Sequence, residues 1–299
     1  MPQKNIDNKK VGSPYEISFS GWKAVLVKVK DQIGENNVII VSAGVGFFGF
    51  LAIFPAIMAL ISIYGLVMDP QQIEEQLTNI SSMMPEQTYK ILQQRADNFI
   101  NSSGGALGWG TAFGILFGIW IANVGTKSLF KGIDIAYKTR SYRGILKHNG
   151  LTLLFTFGAI ILIILSAGLI VAFPAIVEKI GLPDNIENLI SWLRWPIMGL
   201  ILVGSISLIY NFAPGRMRPK FKWVIPGALL ASILWLLASW AFSIYIRNFW
   251  NLGEIYGSIS AVVILMLWLF LTSFIILLGA ELNAELENHA FKEPEVPND

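Results

Sequence analysis

Polar and ionisable side chains are scarce along most of this 299-residue chain, so the few that border its apolar runs are the first candidates for chemistry. Asn123 lies near the C-terminal end of the second apolar run. Tyr210 and Asn211 precede Pro214 at the C-terminal end of the fourth, and Glu281 and Asn283 follow directly on the sixth, with Glu285 one turn beyond. A carboxylate at the edge of an apolar run can carry a proton or pair with a cation. Pairing of Glu281 with the basic loop that holds Arg216, Arg218, Lys220 and Lys222 is the simpler expectation. Lys127, Lys131, Asp134 and Lys138 recur at helical spacing, opposite Leu129, Phe130, Ile133 and Tyr137. Such lysines serve first as a solvated anchor and, as the sharper alternative, as contacts for an anionic headgroup or substrate. Arg247 and Glu254 flank Trp250 ahead of Tyr256-Gly257; aromatic anchoring of a helix entering the bilayer accounts for them more simply than a gate.

Other chemistries lack their residues. There is no cysteine, hence no thiolate ligand or nucleophile, and His148 and His289 are the only histidines. Walker, HExxH and GxSxG patterns are absent. Gly44-Val-Gly-Phe-Phe-Gly49 matches the dinucleotide fingerprint in letters only, because it lies inside an apolar run with no preceding strand. A net charge of +2 gives no general attraction to polyanions. No metal, no cofactor, no nucleic-acid partner and no enzymatic activity are expected.

The elements that position these residues follow from where charge is missing. The chain is 54% hydrophobic and 14% charged, well below the charge content of soluble domains. Uncharged stretches cover Asn36–Met68, Asn98–Thr126, Asn149–Val177, Trp195–Gly215, Trp223–Ile246 and Ile255–Ala280. Each exceeds the roughly 20 residues that a helix needs to cross a bilayer core. Unpaired backbone amides are not tolerated in lipid, so the runs must be helical. The expected fold is an all-α membrane protein, a six-transmembrane-helix bundle with amphipathic interfacial helices on both faces. Sixteen lysines and arginines fall in the N-terminal segment and the second and fourth loops, against five in the other loops. The rich side is cytoplasmic, which places both termini inside. A removed signal peptide is not expected, since the first 35 residues lack a compact apolar core and cleavage site.

The predicted organisation is a cytoplasmic N-terminal segment (1–35), a membrane domain (36–285) and an acidic tail (286–299). In the first segment Trp22, Val25, Leu26, Val29 and Ile33 form the apolar stripe of a helix lying on the lipid surface. Within the membrane domain, residues 69–105 are read as an external helical loop and 126–148 as a basic cytoplasmic helix. Small residues at Gly110, Gly114, Gly118 and Ala122 repeat every four positions, and Ser42 and Gly46 form a less regular face; both are read as helix-packing surfaces. The glycine face can pack within one chain or between two, so a homo-oligomer stays open. Pro55 is a point where the long first span can bend.

Several short motifs occur together in order. Ser42-Ala-Gly-Val-Gly-Phe-Phe-Gly-Phe-Leu-Ala-Ile-Phe-Pro55, Tyr210-Asn-Phe-Ala-Pro214, Tyr256-Gly257 and Trp268 through Leu278-Gly-Ala-Glu281-Leu-Asn283 resemble the YihY/BrkB family of bacterial inner-membrane proteins. Phe47-Phe48 departs from the more usual aromatic pair. The resemblance covers roughly residues 20 to 290 and implies six helices in the inner membrane. It implies no single activity, because members carry labels that include ribonuclease BN, serum-resistance or virulence factor, and lipid or solute exporter. The family motifs point to Pro55, Tyr210, Pro214, Tyr256, Gly257 and Glu281 as positions of interest without assigning them roles.

The leading expectation is a transporter or flippase-like permease in the bacterial inner membrane, with membrane lipid as partner and an amphipathic, lipid-related or anionic substrate. The alternative is a non-catalytic membrane scaffold or envelope assembly factor.

Overall fold

The computed structural model describes residues 13–67, 93, 106–139, 144–169, 184–215, 220–248 and 258–291. Among these there are seven α-helices, one short 3-10 turn (Pro14–Glu16) and no strand. The helices are α1 (Phe19–Glu35), α2 (Val38–Val67), α3 (Ala106–Ala136), α4 (Ile145–Ala167), α5 (Asp184–Phe212), α6 (Phe221–Asn248) and α7 (Ser258–Phe291). α3 to α7 are each long and apolar enough to cross a membrane, and α1 with α2, bent by 64°, raises the number to six when the pair is one span. The chain is an all-α membrane protein. The external loop expected over 69–105, apart from residue 93, lies outside the described residues, as do Tyr256 and Gly257.

Local chemistry sets the helix ends. The Ser18 hydroxyl accepts a hydrogen bond from the Gly21 N–H at 3.2 Å and caps α1. α1 stops at Asn36-Asn37, where Asn37 takes φ 51; asparagine is one of the few side chains that enters the left-handed region readily. α3 ends in a Schellman motif. The Thr139 N–H reaches the Asp134 carbonyl and the Lys138 N–H reaches the Ile135 carbonyl, both at 2.9 Å. Lys138 itself sits at φ 51, a place that usually takes glycine. The basic helix expected over 126–148 is therefore two pieces, the last turns of α3 and the start of α4 at Ile145.

α7 is longer than its apolar run. Its 34 residues reach about 51 Å at about 1.5 Å per residue, against a hydrocarbon core of about 30 Å. The C-terminal turns carry the first part of the predicted tail, 286–291, as helix. α1 packs on them: Val25 and Val29 are buried with Trp223, Leu282, Leu286 and Ala290, and Trp22 packs against this cluster. Four of the five stripe residues expected to face lipid thus face protein, Ile33 against the main core, and Leu26 alone of the five stays exposed.

The chain divides into two compact units, 1–47 with 125–299, and 48–124. In the larger unit the core joins Val38, Phe130, Ile133, Tyr210, Val224, Ala228, Leu277 and Ala280 with their neighbours. Every buried described residue of α5, α6 and α7 lies toward the end of the bundle where α5 finishes and α6 begins. The opposite stretches 192–205, 233–246 and 259–272 contain none. The smaller unit carries a stacked aromatic series, Phe113 on Phe117 at 6.1 Å and Phe117 on Trp120 at 5.8 Å. All three rings are exposed, as suits side chains that meet lipid.

Candidate functional site at the buried end of the bundle

The helix ends on the buried side of the larger unit are tied together by polar side chains that act on the backbone of a neighbour. Tyr210 of α5 is fully buried and donates its hydroxyl to the Ile276 carbonyl of α7 at 2.6 Å. Asn283 of α7 treats α6 as a peptide partner would. Its Oδ1 accepts from the Gly227 N–H at 2.7 Å and its Nδ2 donates to the Val224 carbonyl at 3.0 Å. These bonds need close helix axes, and two glycines provide them. A Cβ on Gly227 would strike the Gly279 carbonyl, and one on Gly279 would strike the Tyr210 hydroxyl and the Gly227 carbonyl. Asp134 closes the third tie, with Oδ1 accepting from the Gly215 N–H at 2.7 Å and from the Thr139 hydroxyl at 3.2 Å.

Glu281 makes the fourth. Its Oε1 accepts from Asn36 Nδ2 at 2.7 Å, and Asn36 Nδ2 also donates to Gln32 Oε1 at 3.2 Å. Gln32 Nε2 in turn donates to Glu35 Oε2 at 2.7 Å. Glu281 is buried and its Oε2 has no hydrogen-bond partner among the described residues. Beside this chain of amides and carboxylates opens a cleft of about 470 Å³, lined by Lys28, Asp31, Gln32, Glu35, Lys138, Glu285 and Asn288. Two lysines and three carboxylates give it both signs of charge, a lining suited to small ions or zwitterionic groups.

The residues singled out from sequence meet this arrangement unevenly. Tyr210 and Glu281 stand in it directly, and Asn211 and Pro214 are buried beside the Asp134–Gly215 tie. Glu281 bonds to Asn36 rather than to the basic loop, of which Lys220 and Lys222 are described. Lys138 lines the cleft, whereas Lys127 and Lys131 do not. Asp134, grouped by spacing with those lysines on a solvated face, is instead buried, because its carboxylate caps a neighbouring chain end. Ser42 is fully buried and donates to the Val38 carbonyl of its own helix at 2.7 Å. A Cβ on Gly46 would come within 2.9 Å of the Phe270 backbone nitrogen, so α2 and α7 approach closely there. At Gly114 a Cβ would meet nothing within 4 Å. Gly118 is buried and Gly110 lies in α3. Asn123, in the smaller unit, is buried with Oδ1 unpaired among the described residues. The backbone of Pro55 is helical, within α2.

Spacing did not reveal Asn36, Gln32, Gly227, Gly279 or the backbone-binding role of Asn283. Two signals were present in the residues: an Asn-Asn pair that ends a helix, and Gly-Ala-Glu-Leu-Asn placing a small residue four before an amide on one face.

Taken together, the fold and its ties define a polytopic α-helical membrane protein whose helices are clamped at one end by side-chain-to-backbone hydrogen bonds. Residues 29–298 match the family model described as virulence factor BrkB, and the chain belongs to that family. It is 28% identical over 250 residues to the "Putative ribonuclease-like protein YfkH" of Bacillus subtilis, covering 82% of this chain and 88% of that protein. It is 30% identical over 116 residues to the UPF0761 membrane protein IL2447 of Idiomarina loihiensis, covering 39% of this chain and 40% of that one. With the UPF0761 membrane protein PSHAa0171 of Pseudoalteromonas translucida it shares 42% over 86 residues, 29% of this chain and 28% of that one. The chain thus spans less than half the length of the latter two in these matches. No solved structure matches it.

Proposed function

We propose that the chain is a non-enzymatic transporter, a flippase-like permease for an amphipathic, lipid-related or anionic molecule in the bacterial inner membrane. The observation that carries this reading is the uneven packing of the larger unit. Four polar ties and all the buried side chains of α5 to α7 close the cytoplasmic end, while the outward stretches of the same helices bury no described side chain. Alternating access needs parts of a bundle to rock against one another, and the stretches without buried described side chains are where α5 to α7 have least to hold them together. Membrane lipid is the natural partner of the exposed apolar residues. The ribonuclease-like name of the Bacillus relative is not carried over, since among the described residues no three His, Asp or Glu side chains are grouped as a metal centre would need.

The test is reconstitution in liposomes, with fluorescent-lipid and anion flux measured under several gradients. Flux above that of empty vesicles is expected, and rates equal to theirs throughout would sink the reading. The cleft of mixed charge on the cytoplasmic face favours a second reading, a scaffold that recruits an envelope or cytoplasmic partner. Crosslinking that recovers a stoichiometric partner, together with absence of flux, would select it.

A further inference from the structure

The tie between Glu281 and Asn36 differs from the other three in having an ionisable group bonded at a helix bend. Asn36 and Asn37 form the junction at which α1 and α2 diverge by 64°. Asn36 Nδ2 spends one hydrogen on Gln32 of its own helix and the other on Glu281 of α7. From Ile259 to Ala280, α7 already covers about 33 Å at about 1.5 Å per residue, the thickness of a hydrocarbon core. Glu281 therefore lies at the inner boundary of the bilayer, 1% exposed, one turn before Glu285, which lines the open cleft. Ionised, it leaves Oε2 with no hydrogen-bond donor among the described residues. Buried polar groups without a partner are rare and call for a physical cause.

We propose that Glu281 is a proton-binding site, loaded from the cytoplasmic cleft, and that its protonation loosens the α1–α2 bend from α7. A proton from water adds to Oε2 and no other covalent bond changes. The carboxylate becomes a neutral acid, and the Asn36–Oε1 bond passes from charge-assisted to neutral, roughly halving its strength. Hydrogen bonds from Asn36 through Gln32 to Glu35 fasten the carboxylate to the rim of the cleft; the amides hold it in place, and the proton comes from water on that side. The charged groups around the site are Glu285 on α7, Lys138 at the end of α3, and Lys28, Asp31 and Glu35 on α1. From α6, Trp223, Val224 and Gly227 pack on this part of α7, and Lys222 precedes them in the first turn of that helix. This inference rests on the transport reading for its purpose, since a proton gradient would supply the energy, but the site itself is testable without flux.

The chain lacks cysteine, so a spin-label pair at Lys28→Cys and Asn288→Cys can span the cleft from α1 to α7. In nanodiscs of phosphatidylethanolamine and phosphatidylglycerol, double electron–electron resonance is recorded between pH 5 and 9. A shift to longer separations on acidification is expected, with a single midpoint. In Glu281→Gln the long-separation form should persist at every pH. Lys138→Gln should move the midpoint up and Glu285→Gln should move it down, and Asn36→Ala, which deletes the tie itself, should give the long-separation form at every pH; these variants decide the matter if Glu281→Gln does not fold. Separations that ignore pH, or a pH response retained in Glu281→Gln, would overturn the proposal. A pH response without liposome flux supports the proton site and removes the transport reading, whereas flux with no pH response does the reverse.

Discussion

Asp134 near the end of α3 accepts a 2.7 Å hydrogen bond from the backbone N–H of Gly215, 81 residues later at the end of α5. The carboxylate fills a need that α5 cannot meet itself, because a chain leaving a helix inside a packed core exposes amide donors that water cannot reach. Asp134→Ala leaves that donor buried and unpaired, a cost of about 1–3 kcal/mol. The apparent Tm in detergent should fall. Asp134→Asn keeps an acceptor at Oδ1 and should recover a large part of the loss; equal losses in the two variants would argue that the bond contributes little.

The crossing of α6 and α7 offers a contrast between two glycines. Gly279→Ala puts a methyl group against the Tyr210 hydroxyl and the Gly227 carbonyl, and forced repacking of that kind costs about 1–3 kcal/mol. Gly114→Ala meets open space and gains up to about 1 kcal/mol from helix propensity. Thermal unfolding of both should place Gly279→Ala below the native chain and Gly114→Ala at or above it.

Asn283 satisfies two backbone groups of α6 at once. Asn283→Leu preserves volume but strips the Gly227 N–H and the Val224 carbonyl of a partner, so a loss of about 2–3 kcal/mol is expected. Tyr210→Phe, which removes only the hydroxyl bond to Ile276, should cost less, about 0.5–1.5 kcal/mol. Urea or thermal midpoints in the same detergent give the ranking, and a reversal would mean that the Tyr210 bond carries more than a single tie.

Lys138 holds a left-handed backbone at φ 51 while lining the cleft of mixed charge. A side chain with Cβ in that region costs roughly 1–2 kcal/mol. Lys138→Gly should therefore raise the apparent Tm, while Lys138→Ala, with the strain retained and the charge lost, should not. If glycine gives no gain over alanine, the left-handed residue is not strained.

Much of the architecture was legible in the residues. Uncharged runs are read directly as helices because lipid leaves the backbone no other way to satisfy its amides, and the described spans fall where those runs do. The boundaries slipped where apolarity was the only guide. α5 begins at Asp184 rather than Trp195, and α7 continues to Phe291 past the predicted Ala280. A helix outside the hydrocarbon needs no apolar surround, only a partner face, and α1 provides one.

At the site, the sequence by itself determined which side chains are exceptional in an apolar setting. Tyr210, Asn283 and Glu281 are conspicuous because desolvation makes each costly unless it is bonded. What each bonds to was decided only by tertiary structure. Asn283 binds the backbone of α6, Asp134 turns away from the lysines it is spaced with, and Glu281 reaches across 245 positions to Asn36. Periodicity reports the face of a helix on which a residue stands, a local property of the chain. The partner depends on how closely two helices approach, and here that was set by Gly227 and Gly279 meeting at a crossing that neither glycine encodes alone.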